Sequence, residues 1–168
     1  MSWPSYIKGF RSYLQLERSL SGNSIEAYEH DIEKLFQYAE AVSFKGGPEK
    51  ITLEVLQQFI KWINELGMSA RSQARVISGV KAFYKYLLME NVLKDDPTAL
   101  LEGPKLGRKL PDFLSVDEIN EIIGVIDLSK PEGERNRAML ETLYSSGLRV
   151  SELVNLRKSN LHSEIGLL

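Results

Sequence analysis

Cysteine is absent from the 168-residue sequence, which excludes disulfide bonds, thiolate zinc sites and a cysteine nucleophile. The two histidines, His30 and His162, lie far apart, and neither has another histidine at the spacing of metal ligands. No apolar run approaches the roughly 18 residues that a membrane-spanning helix needs, and the N-terminal residues lack the long apolar core of a signal peptide. These absences predict a cytoplasmic protein with no metal site and no membrane partner.

A net positive charge is also absent. The sequence has 21 Lys and Arg residues against 23 Asp and Glu residues, which gives a formal net charge of −2. Binding to nucleic acid would therefore have to come from a local concentration of basic residues, because the overall charge gives no attraction. The length is enough for one medium domain or two small ones.

Apolar residues recur at spacings of three and four along most of the chain, and this period predicts a mainly α-helical fold. In the first half, helices are predicted from Ser2 or Trp3, over about 24–41, from Thr52 to Gly67, and from Ser69 to about Asn91. In the second half, Ser115 and Glu118 have the spacing of a capping box, and further helices are predicted over 131–147 and 148–156. Only residues 165–168 have a pattern that could begin a strand.

The predicted helix from Ser69 has the most uneven charge distribution. It contains no Asp or Glu between Ser69 and Leu88. On a wheel of about 100° per residue, its basic side chains fall within about 120° of one another, and its apolar side chains lie on the opposite side. The basic side chains are Arg71, Arg75, Lys81 and Lys85, with Ser72 and Ser78 at the edges, and the apolar ones are Ile77, Val80, Tyr84, Leu87 and Leu88.

Two interpretations of this basic face are open, a solvated surface and a surface that binds nucleic acid. Like charges at i,i+4 repel one another mildly, and the pairs Arg71–Arg75 and Lys81–Lys85 have that spacing. A phosphate backbone lying across such pairs would neutralise them, and binding would release its condensed counterions. We therefore predict an uncompensated basic face whose residues, including Ser72 and Ser78, contact double-stranded DNA.

Residues 104–112 are predicted to form a basic linker between two domains, 1–103 and 113–168. The linker begins with the sequence PKLGRKLP, whose prolines and glycine disfavour a helix. Lys105 and Arg108 in this segment are predicted DNA contacts, and simple solvation is the alternative.

A second candidate site lies in residues 143–156, which read LYSSGLRVSELVNL. Arg149 follows Gly147, which is predicted to end a helix, and precedes a new helical run. A guanidinium group can bind two phosphate oxygens at once, and the start of a helix favours an anion. Glu152 either forms a simple i,i+3 ion pair with Arg149 or holds the guanidinium for a phosphate, and spacing alone leaves both readings open.

The stretch 143–156 resembles the first catalytic-arginine motif of the tyrosine recombinases, the integrase family, and most closely that of the bacterial Xer-type recombinases. The residues that match are Leu143-Tyr144 and the run from Ser146 to Leu153. Similar stretches occur in order along the rest of the chain: Asn23-Ser24-Ile25 with Tyr28 and Asp31, Arg75 to Tyr86, Asp95-Asp96-Pro97, Pro104-Lys105, Leu110-Pro111, Leu114-Ser115, and Arg137 to Leu140.

This resemblance implies a four- to five-helix core-binding (SAM-like) domain over 1–103 and the first helices of an α+β catalytic domain over 113–168. In the family, a tyrosine attacks a DNA phosphate and forms a 3′-phosphotyrosine, without a metal or nucleotide cofactor. Two arginines, a lysine and histidine-type residues stabilise the reacting phosphate. Only the first arginine can be carried over, as Arg149 with its neighbour Glu152. Tyr144 does not have the position of the nucleophile.

The family's lysine, its His-x-x-Arg box and its tyrosine have no counterpart in this chain. We therefore expect the chain to be part of a longer protein, to bind duplex DNA weakly and not to cut it. The resemblance implies that the full-length protein works as a recombinase tetramer on two DNA sites, with chromosome dimer resolution and segregation as the expected process. The alternatives are a mobile-element integrase of the same family and a non-catalytic helical module that binds DNA or another protein.

Overall fold

The structure is a computed structural model that describes residues 2–107 and 110–160. Within these ranges it contains α-helices, short 3₁₀ turns and no strand, which confirms the mainly α-helical prediction. The chain divides into two compact units, Met1–Arg108 and Lys109–Leu168, and the division falls inside the segment predicted as the linker. The predicted contact Arg108, His162 and the possible strand over 165–168 lie outside the described residues.

Over residues 2–107, the first unit contains four α-helices and one 3₁₀ turn. They are α1 (Trp3–Leu16), α2 (Gly22–Ala41), the 3₁₀ turn (Pro48–Lys50), α3 (Leu53–Glu65) and α4 (Ala70–Met89). Helix α4 packs against all three other helices, and its most extensive contact is with α2. The face of α4 that points away from the core is therefore the part of this helix that is available to a ligand.

Serine caps define where α2 and α4 begin. The hydroxyl of Ser69 accepts a hydrogen bond from the backbone N–H of Ser72 at 3.2 Å, as the predicted cap requires. Helix α2 begins at Gly22, two residues before the predicted start at Ser24. The prediction was wrong here because Ser21 is the cap, and its hydroxyl accepts from the backbone N–H of Ser24 at 3.4 Å.

The core of the first unit is rich in aromatic rings. Phe10 of α1 is fully buried, and its ring centroid lies 5.3 Å from that of Phe83 of α4, in an edge-to-face arrangement. Tyr84 is also fully buried, and its hydroxyl donates to the carbonyl oxygen of Pro48 at 3.0 Å. Burial, with smaller contributions from Glu49 and Asp96, raises the pKa of Tyr84, so this phenol is a neutral part of the core.

The second unit contains α5 (Val116–Gly124), α6 (Pro131–Ser146), α7 (Val150–Val154) and a 3₁₀ turn (Lys158–Asn160). The predicted capping box is confirmed, because the hydroxyl of Ser115 accepts from the backbone N–H of Glu118 and the Glu118 carboxylate accepts from the backbone N–H of Ser115. Gly147 ends α6 with φ +64°, a left-handed conformation that favours glycine. Within the described part of this unit no apolar side chain is buried. Over the described residues of both units, no helix has the length and apolar character needed to cross a membrane.

Candidate nucleic-acid interface and candidate catalytic arginine

The apolar side of α4 faces the core as predicted. Ile77, Val80, Tyr84 and Leu87 are buried, while Leu88 is half-buried at the edge of this face. The opposite side of the helix is exposed and presents Arg71, Lys81 and Lys85. The helix therefore fixes three cations on one exposed surface without an acidic residue of its own.

Arg75 does not fit the prediction of an uncompensated basic face. Its Nη1 donates to Asp31 Oδ2 at 2.9 Å, and its Nη2 lies 2.8 Å from Asp31 Oδ1 at an angle that makes this an ion-pair contact and not a hydrogen bond. Nη1 also lies 3.4 Å from the carbonyl oxygen of Ala27, its second acceptor. This partner could not be predicted from local spacing, because Asp31 is 44 residues away in the chain and meets Arg75 only in the folded structure.

The carboxylate of Asp31 is buried between α2 and α4, with a side-chain exposure of 3%. Burial raises the pKa of Asp31, and the positive charges of Arg75, Lys34 and His30 act against that rise. Gly79 makes the arrangement possible, because a Cβ at this position would lie 2.6 Å from Asp31 Oδ2 and 2.7 Å from Asp31 Cβ. The two helices can therefore approach this closely only with glycine at position 79.

The hydroxyl groups of the two predicted serine contacts are used within α4. Ser72 accepts a hydrogen bond from the hydroxyl of Ser69 at 3.0 Å, and Ser78 donates to the carbonyl oxygen of Ala74 at 3.0 Å. A hydroxyl group can both donate and accept, so each serine keeps some capacity for a phosphate oxygen. Their contact with DNA stays a prediction.

Arg71, Lys81 and Lys85 have no ion-pair partner anywhere in the described parts of the chain. Arg18 is a further exposed cation without such a partner among the described residues, and it was not predicted because it lies outside the helix from Ser69, whose charge pattern singled out the other cations. Arg18 and Lys85 line the same small cleft of about 50 Å³. Exposed cations without an ion-pair partner among the described residues therefore lie both on α4 and just after α1, at Arg18.

Of the two basic residues predicted in the linker, Lys105 is exposed, and among residues 2–107 and 110–160 it has no ion-pair partner. Arg108 is outside the described residues. Contact of either residue with DNA stays a prediction.

Arg149 stands at the N-cap of α7, directly after the turn made by Gly147. Its backbone N–H donates to Glu152 Oε2 at 2.7 Å, and its Nη1 donates to Glu152 Oε1 at 2.9 Å. The ion pair, one of the two readings left open by the sequence, is therefore present. The hydrogen bond from the Arg149 backbone is the main cause that lowers the pKa of Glu152, and the side-chain bond adds to it.

The Arg149 side chain is 82% exposed despite this pair. Its Nε and Nη2 donate to no group that the structure describes. A guanidinium group has five N–H donors, so most of the donors of Arg149 are free to bind an anion. The ion pair and a phosphate-binding role are therefore compatible, because Glu152 fixes one edge of the guanidinium and leaves the other open.

No cluster of potential metal ligands occurs in the described residues. His30 lies beside Glu33, with 3.3 Å between His30 Nδ1 and Glu33 Oε2, on the exposed surface of α2. The candidate sites therefore consist of basic side chains and backbone groups.

Comparison with known protein families assigns both units. Residues 7–91 match the family described as "Phage integrase, N-terminal SAM-like domain", and residues 112–168 match the family described as "Phage integrase family". The chain belongs to the tyrosine recombinase (phage integrase) family. The SAM-like match covers all of α2, α3 and α4, so the basic face of α4 lies in the domain that the resemblance identified as core-binding.

Curated members of the family are similar to this chain over nearly its whole length. It is 35% identical over 162 residues to Tyrosine recombinase XerD of Listeria monocytogenes serotype 4b, which covers 96% of this chain and 54% of the relative. It is 37% identical over 160 residues to Tyrosine recombinase XerD of Staphylococcus aureus strain Mu50, which covers 95% of this chain and 54% of the relative. The chain therefore spans about half the length of the curated relatives it matches.

A solved structure gives independent support for the fold. The integrase from mycobacterium phage Brujita has a TM-score of 0.54 to this chain at 19% sequence identity, and the match covers 95% of this chain and 50% of the integrase. At this level of identity the likeness concerns the arrangement of the helices only.

The second unit of the chain also exposes an apolar groove between α5 and α6. The groove has a volume of about 250 Å³, and its lining is almost entirely apolar: Leu114, Ile119, Ile122, Ile123, Leu140, Leu143 and Tyr144. Contiguous apolar surface of this kind is typical of a site that another protein segment covers. This observation keeps the protein-interaction alternative open.

Proposed function

We propose that this chain is the DNA-binding part of a site-specific recombinase that cuts and rejoins duplex DNA through a 3′-phosphotyrosine intermediate. The observation that carries the proposal is the exposed face of α4, where Arg71, Lys81 and Lys85 lack ion-pair partners among the described residues and no acidic residue of the helix offsets them. This face lies within the segment that matches the integrase N-terminal domain.

Arg149 has a separate role in this proposal. Its free guanidinium edge binds the DNA phosphate that is attacked, and Glu152 holds the opposite edge in a fixed orientation. Fixed donors stabilise the charge that grows on the phosphate in the transition state better than mobile ones, because they need no reorganisation during the reaction. We expect these 168 residues to bind duplex DNA, and we expect cleavage from a protein that also carries the family's nucleophilic tyrosine.

The proposed biological process is chromosome dimer resolution and segregation, carried out by a recombinase tetramer on two DNA sites in the cytoplasm. The support for this finer assignment is the identity of 35% and 37% to two proteins named Tyrosine recombinase XerD. Integration of a mobile element is the alternative process within the same family.

Charge reversal on α4 tests the proposal. Arg71→Glu and Lys81→Glu, alone and combined, should weaken binding to a fluorescein-labelled duplex of arbitrary sequence, and each lost phosphate contact should reduce the salt dependence by about 0.9 in log K against log salt. Arg75 is left unchanged, because a glutamate there would face Asp31 and disturb the packing of α2 on α4.

Lys61→Glu is the matched control. Lys61 is 78% exposed and has the same positive charge, but it belongs to α3 and not to α4, and its Nζ lies 3.9 Å from Glu65 Oε1. It should reduce affinity much less than Arg71→Glu does. Equal losses for Lys61→Glu and Arg71→Glu would show that only net charge matters, and the proposed interface would be wrong.

A second candidate function rests on the apolar groove between α5 and α6. If this groove binds protein, the chain should self-associate independently of salt, and Ile122→Glu in the groove should abolish that self-association. Sedimentation velocity of the chain at low and high salt would detect the self-association. Salt-independent association without duplex binding would favour the interaction module over the recombinase.

A further inference from the structure

We propose that Asp31 is a positioning residue, which holds the Arg75 guanidinium in one orientation so that its free edge meets the DNA. This inference rests on the proposed function, because it assumes that the exposed face of α4 binds duplex DNA. It assigns to Asp31, an acidic residue on α2, a part in DNA binding that its charge alone would argue against.

The contacts fix Arg75 from two places on α2. Asp31 holds both terminal nitrogens, with Nη1 at 2.9 Å from Oδ2 and Nη2 at 2.8 Å from Oδ1. The carbonyl oxygen of Ala27, one helical turn earlier, lies 3.4 Å from Nη1. A planar guanidinium held at two points cannot rotate freely, unlike the side chain of Arg71, which has no hydrogen-bond partner among the described residues.

The Asp31 carboxylate that holds Arg75 is itself fixed in place. Asp31 is 2% exposed and is packed against Gly79 on α4, where even a methyl group would overlap its Oδ2 and Cβ. Asp31 Oδ1 has no hydrogen bond in the described structure, so its negative charge is compensated mainly by the ion pair with Arg75. The position of the carboxylate therefore dictates the position of the guanidinium.

Half of the Arg75 side chain remains exposed, on the same helix face as Arg71 and Ser78. Its Nε donates to no described group. The paired arginine can thus still donate to a phosphate oxygen, and it does so with its rotamer already fixed. Ordering a long side chain at an interface otherwise opposes binding, so a pre-ordered arginine binds more tightly than a mobile one.

A purely electrostatic role of Asp31 and a positioning role predict opposite changes in duplex affinity for Asp31→Asn. The substitution removes a negative charge beside the DNA-binding face, so a purely electrostatic surface would bind duplex DNA more tightly. If Asp31 positions Arg75, the same substitution should weaken binding by about 2- to 12-fold, which is the ordering cost of one long side chain converted at 1.36 kcal/mol per factor of ten. The salt dependence should not fall, because no phosphate contact loses its charge.

The experiment measures binding of the 168-residue chain to a fluorescein-labelled duplex by anisotropy, at several salt concentrations. Asp31→Asn and Arg75→Lys should each weaken binding with an unchanged salt slope. Arg75→Lys keeps the positive charge but removes the planar guanidinium group and its N–H donors. Arg11→Lys is the matched control: Arg11 lies on α1 and not on α4, and its Nη1 is likewise paired with a carboxylate of α2, that of Glu29 at 2.6 Å, so this change should alter duplex affinity by less than about 2-fold. Circular dichroism establishes that each variant is folded.

The outcomes distinguish a failure of the proposed DNA-binding function from a failure of the positioning role of Asp31. If the unchanged chain shows no salt-dependent duplex binding, the proposed function fails and the positioning role falls with it. If the unchanged chain binds but Asp31→Asn binds as tightly or more tightly, only the positioning role is overturned. If Asp31→Asn does not fold, Arg75→Lys decides, because it keeps the positive charge beside Asp31. A duplex affinity equal to that of the unchanged chain overturns the proposal, and a loss larger than that of Arg11→Lys supports it.

Discussion

Replacing Gly79 by alanine should destabilise the first unit, although the same change inside an exposed helix is normally stabilising. In an open helix, alanine would be favoured over glycine by about 1 kcal/mol. Here the new methyl group would lie 2.6 Å from Asp31 Oδ2 and 2.7 Å from Asp31 Cβ. Carbon atoms at rest are separated by about 3.5–4.0 Å, so α2 must move by a substantial part of an ångström.

The two contributions have opposite signs, and the overlap should outweigh the helix propensity. Overpacking of a filled interface costs about 1–3 kcal/mol. The displacement also disturbs the pair between Asp31 and Arg75, which adds to the loss. We therefore expect Gly79→Ala to lower the free energy of unfolding by up to about 2 kcal/mol after the gain in helix propensity is subtracted, with any loss of the Asp31–Arg75 pair in addition.

Urea unfolding followed by far-ultraviolet circular dichroism measures this change, and Gly22→Ala is the matched control. Gly22 begins α2, and a methyl group there would meet no atom within 4 Å. The control should be neutral or slightly stabilising. A Gly79→Ala variant that is as stable as the Gly22→Ala variant would refute the close packing of α2 on α4, and with it the rigid anchoring of Asp31.

Three further predictions concern single side chains. Ser69→Ala should destabilise the first unit by about 1 kcal/mol through loss of the α4 cap, while Ser2→Ala should have little effect because Ser2 makes no side-chain cap bond; urea unfolding compares them. The pKa of Glu152 is lowered in the folded state, so the stabilisation that Glu152 gives α7 is present at neutral pH and is lost as the pH falls through that lowered pKa. The NMR resonance of the Arg149 backbone amide should follow this titration. Glu152→Gln should abolish the titration of that resonance. In a protein that also carries the rest of the family's catalytic domain, Arg149→Ala should slow DNA cleavage by about 10²–10³-fold, with duplex affinity changed little, as measured by cleavage of a labelled site.

Each of these predictions has a contrary result. Equal stabilities for Ser69→Ala and Ser2→Ala would show that the Ser69 bond contributes nothing to α4. A titration of the Arg149 amide that persists in Glu152→Gln would show that another group causes it. Cleavage by Arg149→Ala at the unchanged rate would exclude Arg149 from the active site.

Local sequence signals predicted the helices of both units well. Serine at a helix start, glycine after a helix end and the period of the apolar residues all act within a few residues, so they can be recognised without knowledge of the fold. Ser69, the Ser115–Glu118 capping box and Gly147 are examples that the structure confirms. The start of α2 was misplaced by two residues because Ser21, which also has a residue type that caps helices, accepts the bond from the backbone N–H of Ser24.

Contacts between distant residues could not be predicted in this way. The wheel of α4 correctly separated an apolar side from a basic one, but it gave no information about what α2 places beside the basic side. Asp31 and Arg75 meet because Gly79 lets two helices come together, and no local pattern encodes that crossing. Arg149 was identified by resemblance to a family motif and not by its spacing from Glu152, which fits an ordinary ion pair equally well.

The most direct test of the central claim is the affinity of the unchanged chain for duplex DNA as a function of salt. Three unpaired cations on α4 should give a slope of about −2.7 in log K against log salt, at about 0.9 for each contact, and further basic residues would make it steeper. Between about 50 and 200 mM salt, this slope corresponds to a loss of affinity of roughly 40-fold. An affinity that stays constant over that range would contradict the assignment of the α4 face as a DNA-binding surface.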